Sequence, residues 1–84
     1  MSAVRILSKS SVEKDLKRID KNIRLRLMDK IALELTKNPY VGKKLKGRYE
    51  GLHSFRVGDY RVIYELIGSD VLILRIAHRK EVYK

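Results

Sequence analysis

The residues best suited to chemistry in this chain are arginines near the ends of predicted strands. Arg56 lies near the end of one strand, Arg61 near the start of the next, and Arg79 just beyond the last. These positions can converge in an antiparallel meander, and the forked guanidinium of arginine binds phosphate oxygens in pairs. Arg75 shares the parity of Arg79, so a row of arginines can form on one face. The alternative is that these side chains lie along the sheet surface with solvated charges.

Two further side chains accompany this cluster. His78 is the candidate acid or base, because arginine, with a pKa of ~12.5 or more, is a poor proton carrier. The equally open alternative is a histidine packed at a strand end. Tyr83 lies near the C-terminus, where residues usually fray unless they are tied down. Its ring is therefore expected either to pack or to stack on a base.

Several other chemistries have no support in the sequence. The chain has no cysteine, which excludes thiolate metal sites and cysteine nucleophiles. It also lacks a G-x-S-x-G elbow and a glycine-rich nucleotide loop. His53 and His78 have no carboxylate neighbours of the kind that a metal site needs. We therefore predict neither a metal nor another cofactor.

Charge indicates the class of partner. The 84 residues carry 20 Lys and Arg against 10 Asp and Glu, a formal charge of +10, and this length predicts one domain over residues 1–84. Such a surface attracts polyanions, of which nucleic acid is the commonest, although plain solvation of the lysines is the alternative. The charge is concentrated between Val41 and Arg48, at Lys43, Lys44, Lys46 and Arg48.

Hydropathy points away from membranes. No apolar run approaches the ~18 residues of a membrane span. The apolar stretch from Ala3 to Leu7 is interrupted by Arg5 and is too short for the core of a signal peptide. We expect a soluble, cytoplasmic protein without membrane contact.

The first half of the chain predicts a short strand and a helical hairpin. Alternation from Val4 to Ser8 indicates the strand. Ser10 and Glu13 fit a capping box for the first helix, Asp20 or Asn22 can cap the second, and Asn38-Pro39 ends it. The apolar positions recur at helical spacing: Val12, Leu16 and Ile19 in the first helix, and Ile23, Leu27, Ile31 and Leu35 in the second.

The second half predicts three strands joined by glycine-containing turns. The strands are Leu52–Val57, Tyr60–Ile67 with a clear period of two, and the almost wholly apolar Val71–Ala77, which is typical of a central strand covered on both faces. The element order is β-α-α-β-β-β. We predict an α+β fold in which the helical hairpin packs on a mostly antiparallel four-stranded sheet.

Two sequence blocks, L-K-G-R-Y-E-G-L-H-S-F-R-V-G-D-Y-R-V-I-Y and I-A-H-R-K-E-V-Y, resemble the RelE/ParE toxin superfamily, and its RelE branch in particular. The resemblance covers essentially the whole chain and implies the RelE-like microbial ribonuclease fold. It implies that Arg61 holds the scissile phosphate, and it matches Arg56, Arg79 and Tyr83 to the other active positions. One departure is Ser54, where relatives often carry a second basic residue.

The resemblance also implies a function. RelE-type toxins of type II toxin–antitoxin systems cleave mRNA in the ribosomal A site, and a RelB-type antitoxin inhibits them. The expected partners are therefore the ribosome, the message and an antitoxin, with one toxin monomer in a hetero-oligomeric complex. The basic loop would contact RNA through Lys43, Lys44, Lys46 and Arg48. Two alternatives stay open: a ParE-like inhibitor of DNA gyrase, and a catalytically weak module that binds only RNA or antitoxin.

Overall fold

The fold is two helices on one face of a mostly antiparallel sheet. The computed structural model describes residues 4–78 and residue 80. The sheet order is β1-β5-β4-β3-β2, and in it only the pairing of β1 with β5 is parallel. The elements are β1 (Ile6–Ser8), α1 (Ser10–Lys17), α2 (Lys21–Lys37), β2 (Lys43–Lys44), β3 (Leu52–Val57), β4 (Tyr60–Ile67) and β5 (Asp70–His78).

The start of α1 differs from the predicted capping box. Ser10 is already helical, and the N-cap is Lys9, which makes no side-chain cap. The Lys9 backbone N–H instead donates to the Ile73 carbonyl at 3.0 Å, and the Ser11 hydroxyl donates to the Leu74 carbonyl at 3.4 Å. The capping-box prediction is wrong because contacts with β5 place the start of this helix.

Helix α2 begins and ends as its sequence predicts. The Asp20 carboxylate accepts a hydrogen bond from the Asn22 backbone N–H at 3.1 Å, which is the usual N-cap interaction. Asn38, before the proline, is the C-cap. Leu27, Ile31 and Leu35 are buried. Ile23, predicted on the same face, is 40% exposed, because it lines an open pocket between α2 and the β3–β4 turn.

One apolar core lies between the helices and the sheet. Its helical contributors include Val12, Leu27 and Ile31, and its sheet contributors include Val62 and Tyr64. We call this side of the sheet the helix face and the other side the open face. Strand β5 lies between β1 and β4, but the helices cover only its helix face. On the open face, Ala77 of β5 is nevertheless buried, so this end of the strand is buried on both faces.

The sheet has five strands rather than four, because Lys43 and Lys44 form the short edge strand β2 against β3. A buried hydroxyl holds the segment before it. The Tyr64 hydroxyl donates to the Pro39 carbonyl at 2.8 Å and accepts from the Gly42 backbone N–H at 3.0 Å. A Cβ at Gly42 would lie 2.5 Å from that hydroxyl oxygen, so only glycine fits this approach without a shift.

In the described part of the chain, neither helix combines the length and the apolar character that crossing a membrane requires.

Candidate phosphate-binding face

The open face brings two of the predicted site arginines together. Arg56 and Arg61 are direct cross-strand partners on β3 and β4, and Arg61 pairs in turn with Ala77 on β5. Directly opposed residues project from the same side of a sheet. Because Val62 projects into the core between the helices and the sheet, its neighbour Arg61 projects to the open face. These residues form the first row, next to the β3–β4 turn.

Hydrogen bonds hold the two guanidinium groups in different directions. The exposed Arg56 donates through Nε to the Gly58 carbonyl at 3.1 Å. The half-buried Arg61 donates through Nη1 to the Ser54 hydroxyl at 3.5 Å. Like charges directly opposed on neighbouring strands destabilise a sheet, and a bound anion would relieve this repulsion. The two arginines on one face supply the paired N–H donors that bind phosphate oxygens.

Two of the predicted site residues, Arg79 and Tyr83, lie outside the described residues. Their roles stay predictions. The strand that leads to Arg79 is described, and Ala77 is the cross-strand neighbour of Arg61.

His78 lies on the other side of the sheet from this pair. It is the cross-strand partner of Tyr60, and the two rings meet edge to face at 5.4 Å. Together with Asp15 and Arg18 it lines a cavity of about 190 Å³ against α1. Its Nδ1 accepts a hydrogen bond from the Lys80 backbone N–H at 3.3 Å. The acid–base role therefore gains no support from these contacts, which fit the alternative of packing at a strand end.

The basic run does not form one surface. Lys43 pairs with Ser54 and so belongs to the open face, whereas Lys44 pairs with His53, whose ring stacks on the buried Tyr64. The chain then turns through a short 3-10 helix, Gly47–Tyr49. The four predicted RNA-binding cations, Lys43, Lys44, Lys46 and Arg48, are all exposed, and strand alternation places Lys43 and Lys44 on opposite sides of the sheet.

A buried histidine, which the sequence analysis weighed only as a metal ligand, lies beneath this basic segment. His53 is 7% exposed, and neither ring nitrogen has a hydrogen-bond partner in the part of the chain that the structure describes. Burial lowers the pKa of His53, and the positive charge of Lys44 lowers it further. With Lys44 and Lys46, it lines an open groove of about 660 Å³. The sequence signal that could have found it is strand parity, because His53 shares a face with Phe55 and Val57, which pack against the core.

Within residues 4–78 and residue 80, no group of three or more His, Asp or Glu side chains is placed to hold a metal ion.

Comparison with known proteins gives the same fold and sequence family. The curated toxin RelE of Mycobacterium tuberculosis is 36% identical over 78 residues, covering 89% of this chain and 80% of that protein. Toxin RelE3 of Methanocaldococcus jannaschii is 32% identical, with 95% of this chain and 96% of that protein covered.

Solved structures agree. The toxin–antitoxin complex RelBE2 of M. tuberculosis contains a chain that matches with a TM-score of 0.84 at 28% identity, covering 93% of this chain and 100% of that one. A RelB–RelE complex from Methanococcus jannaschii matches with a TM-score of 0.70 at 31% identity, covering 92% and 94%. The sequence model for the ParE toxin of the type II toxin–antitoxin system parDE matches residues 6–83. These matches confirm the resemblance, and the chain belongs to the RelE/ParE superfamily of type II toxin–antitoxin toxins.

Proposed function

We propose that this toxin is a ribosome-dependent endoribonuclease that cleaves mRNA in the ribosomal A site. The observation that carries the proposal is the opposition of Arg56 and Arg61 on the open face of the sheet. Relatives named RelE support the same branch of the superfamily. Because ribosomes and messages are cytoplasmic, we place its action in the cytoplasm.

The proposed reaction uses the 2′-OH of the RNA as nucleophile. The 2′-oxygen attacks the adjacent phosphorus and loses its proton, the bond from phosphorus to the 5′-oxygen breaks, and that oxygen leaves as a protonated hydroxyl. The internal nucleophile makes the proposed reaction independent of metal. Arg61, helped by Arg56, binds the phosphate oxygens as negative charge builds up on them. Arg79 and Tyr83 are proposed at the same phosphate.

Arginine does not supply an efficient general base at neutral pH. We therefore propose that the ribosome orients the message, so that positioning and charge stabilisation provide much of the rate. Cleavage of A-site mRNA should then be much faster than cleavage of the same RNA alone. Equal rates on both substrates would contradict this part of the proposal.

The test is a cell-free translation reaction in which message ends are mapped by primer extension. Codon-phased cuts are expected with the unmodified toxin. Arg61→Gln, which removes the charge and keeps a polar side chain, should lower cutting by about 10²-fold or more. The matched control is Lys30→Gln, which removes one charge from the exposed side of α2. Equal loss in both variants would show a general charge effect and reject the site.

The same purified protein can be tested for two other functions. The matching family model is described as a ParE toxin, so inhibition of DNA gyrase is the second candidate, and a supercoiling assay measures it directly. A module that only binds RNA or antitoxin would be silent in both assays.

We also propose a cognate RelB-type antitoxin as partner, with the toxin as a monomer inside a hetero-oligomeric complex. Matching structures are described as RelB–RelE and RelBE complexes. The antitoxin should suppress cleavage when it is added before the message.

A further inference from the structure

A second row of residues crosses the open face next to the first. Its members pair strand by strand: Lys43 with Ser54, Ser54 with Ile63, and Ile63 with Arg75. The row has exposed cations at its two ends, and its middle is buried, with Ser54 at 6% and Ile63 at 8% exposure. It lies two residues, or about 6.6 Å, from the first row along the strands.

This register places Arg75 beside Arg61. Arg61 pairs with Ala77, and Arg75 is two residues away on the same strand, so the two arginines are diagonal neighbours across β4 and β5. Diagonal neighbours are about 7–8 Å apart, within reach of long side chains. Ser54 occupies the matching diagonal position across β3 and β4, and its hydroxyl accepts a hydrogen bond from Arg61. Arg61 is thus flanked by a neutral hydroxyl on one side and a guanidinium on the other.

The guanidinium of Arg75 is available to a ligand. The side chain is exposed, and no hydrogen bond or ion pair joins it to another residue in the described part of the chain. Glu65 is the nearby carboxylate on the same face, because it pairs with Leu72 of β5, yet the two do not form an ion pair. Within the described residues, Arg75 therefore adds positive charge beside Arg61 without a protein counterion.

We propose that Arg75 binds an RNA backbone phosphate next to the one that Arg61 holds, an inference that rests on the proposed function. The diagonal separation of about 7–8 Å between Arg61 and Arg75 is comparable to the spacing of adjacent phosphates along an extended RNA strand. A strand lying across the open face from β4 towards β5 would place one phosphate at Arg56 and Arg61 and its neighbour at Arg75. Arg75 is a binding and positioning residue here, because it contacts a phosphate at which no bond breaks.

The first experiment measures binding of a single-stranded oligoribonucleotide to the full chain over a salt series, without ribosomes. Each phosphate contact contributes about 0.7 to the slope of log affinity against log salt for single strands. Arg75→Gln keeps much of the stem and removes the charge, so it should lower the slope by about that amount, whereas Arg75→Lys should keep the slope. Lys30→Gln, with the same loss of charge, should also leave it unchanged. An unaltered slope in Arg75→Gln, or an equal drop in Lys30→Gln, would overturn the inference.

The second experiment measures cleavage in the cell-free reaction. Arg75→Gln should reduce cutting on the order of tenfold, since losing a hydrogen bond to a charged group weakens binding by about that factor. Arg75→Lys should retain most activity. Normal cutting by Arg75→Gln would overturn the inference and leave the nuclease proposal intact. A toxin that cuts no message would refute the nuclease proposal, while the salt slope would still show whether Arg75 binds phosphate. An unchanged RNA slope with weakened antitoxin binding would assign Arg75 to the protein interface and also overturn the inference.

Discussion

The buried hydroxyl of Tyr64 makes two hydrogen bonds, and these set the loss of stability expected when the hydroxyl is removed. Tyr64→Phe removes one oxygen atom from a side chain with 0% exposure. It thereby breaks the 2.8 Å bond to the Pro39 carbonyl and the 3.0 Å bond from the Gly42 N–H. At about 0.5–1.5 kcal/mol for each neutral hydrogen bond, the free energy of unfolding should fall by about 1–3 kcal/mol. In a domain of this size, that corresponds to a fall in Tm of roughly 4–24 °C.

Thermal and urea unfolding measure this effect, and hydrogen exchange of the Gly42 amide localises it to the segment before β2. Tyr60→Phe is the matched control, because the Tyr60 hydroxyl makes no hydrogen bond with the described residues. If Tyr64→Phe were as stable as Tyr60→Phe, or if the Gly42 amide kept its protection, the reasoning about this hydroxyl would be refuted.

Three other changes test neighbouring features. Gly42→Ala should destabilise the fold by about 1–3 kcal/mol through overpacking against Tyr64, and combination with Tyr64→Phe should recover part of the loss; full additivity in unfolding experiments would contradict the contact. Because the pKa of His53 is lowered in the folded state, the unfolded chain binds more protons below about pH 6.5, so stability should fall as pH decreases through that region. His53→Phe should remove this component, and an unchanged pH profile of the urea midpoint would exclude His53 as its source. Replacing Lys43, Lys44 and Lys46 together with Gln should lower the salt slope of RNA binding by about 0.7 for each phosphate that these lysines neutralise; an unchanged slope would remove this segment from the interface.

Most elements are readable from the sequence because their signals are local. The period of two from Tyr60 to Ile67 separates the core residue Val62 from Arg61 correctly, since alternation depends only on strand geometry. Asp20 as a cap and Asn38-Pro39 as a stop are likewise properties of a few adjacent residues. The Arg56–Arg61 pair was predictable for the same reason, because the two residues flank one short turn.

The failed predictions depend on distant contacts. Nothing near Ser10 indicates that the start of α1 is fixed by bonds to β5, more than sixty residues away. Ile23 follows the helical period of α2, but only the position of the sheet determines where the core ends. His78 lies on the helix face because it pairs with Tyr60, one position from the Arg61–Ala77 pair, and this cross-strand register decides between the two roles that the sequence left open.

The sequence by itself determined the charge, the helical hairpin, the strand meander, the family and the pairing of arginines around one turn. The family follows from the resemblance of two sequence blocks, and the other features depend on composition or short-range geometry. Only the tertiary structure decided that Lys43 and Lys44 form a fifth strand, that His53 is buried beneath them, and that Ser54 and Arg75 flank Arg61 from opposite strands. These features require the order and register of strands that are far apart in the chain, and those are set by how the whole sheet packs against its helices.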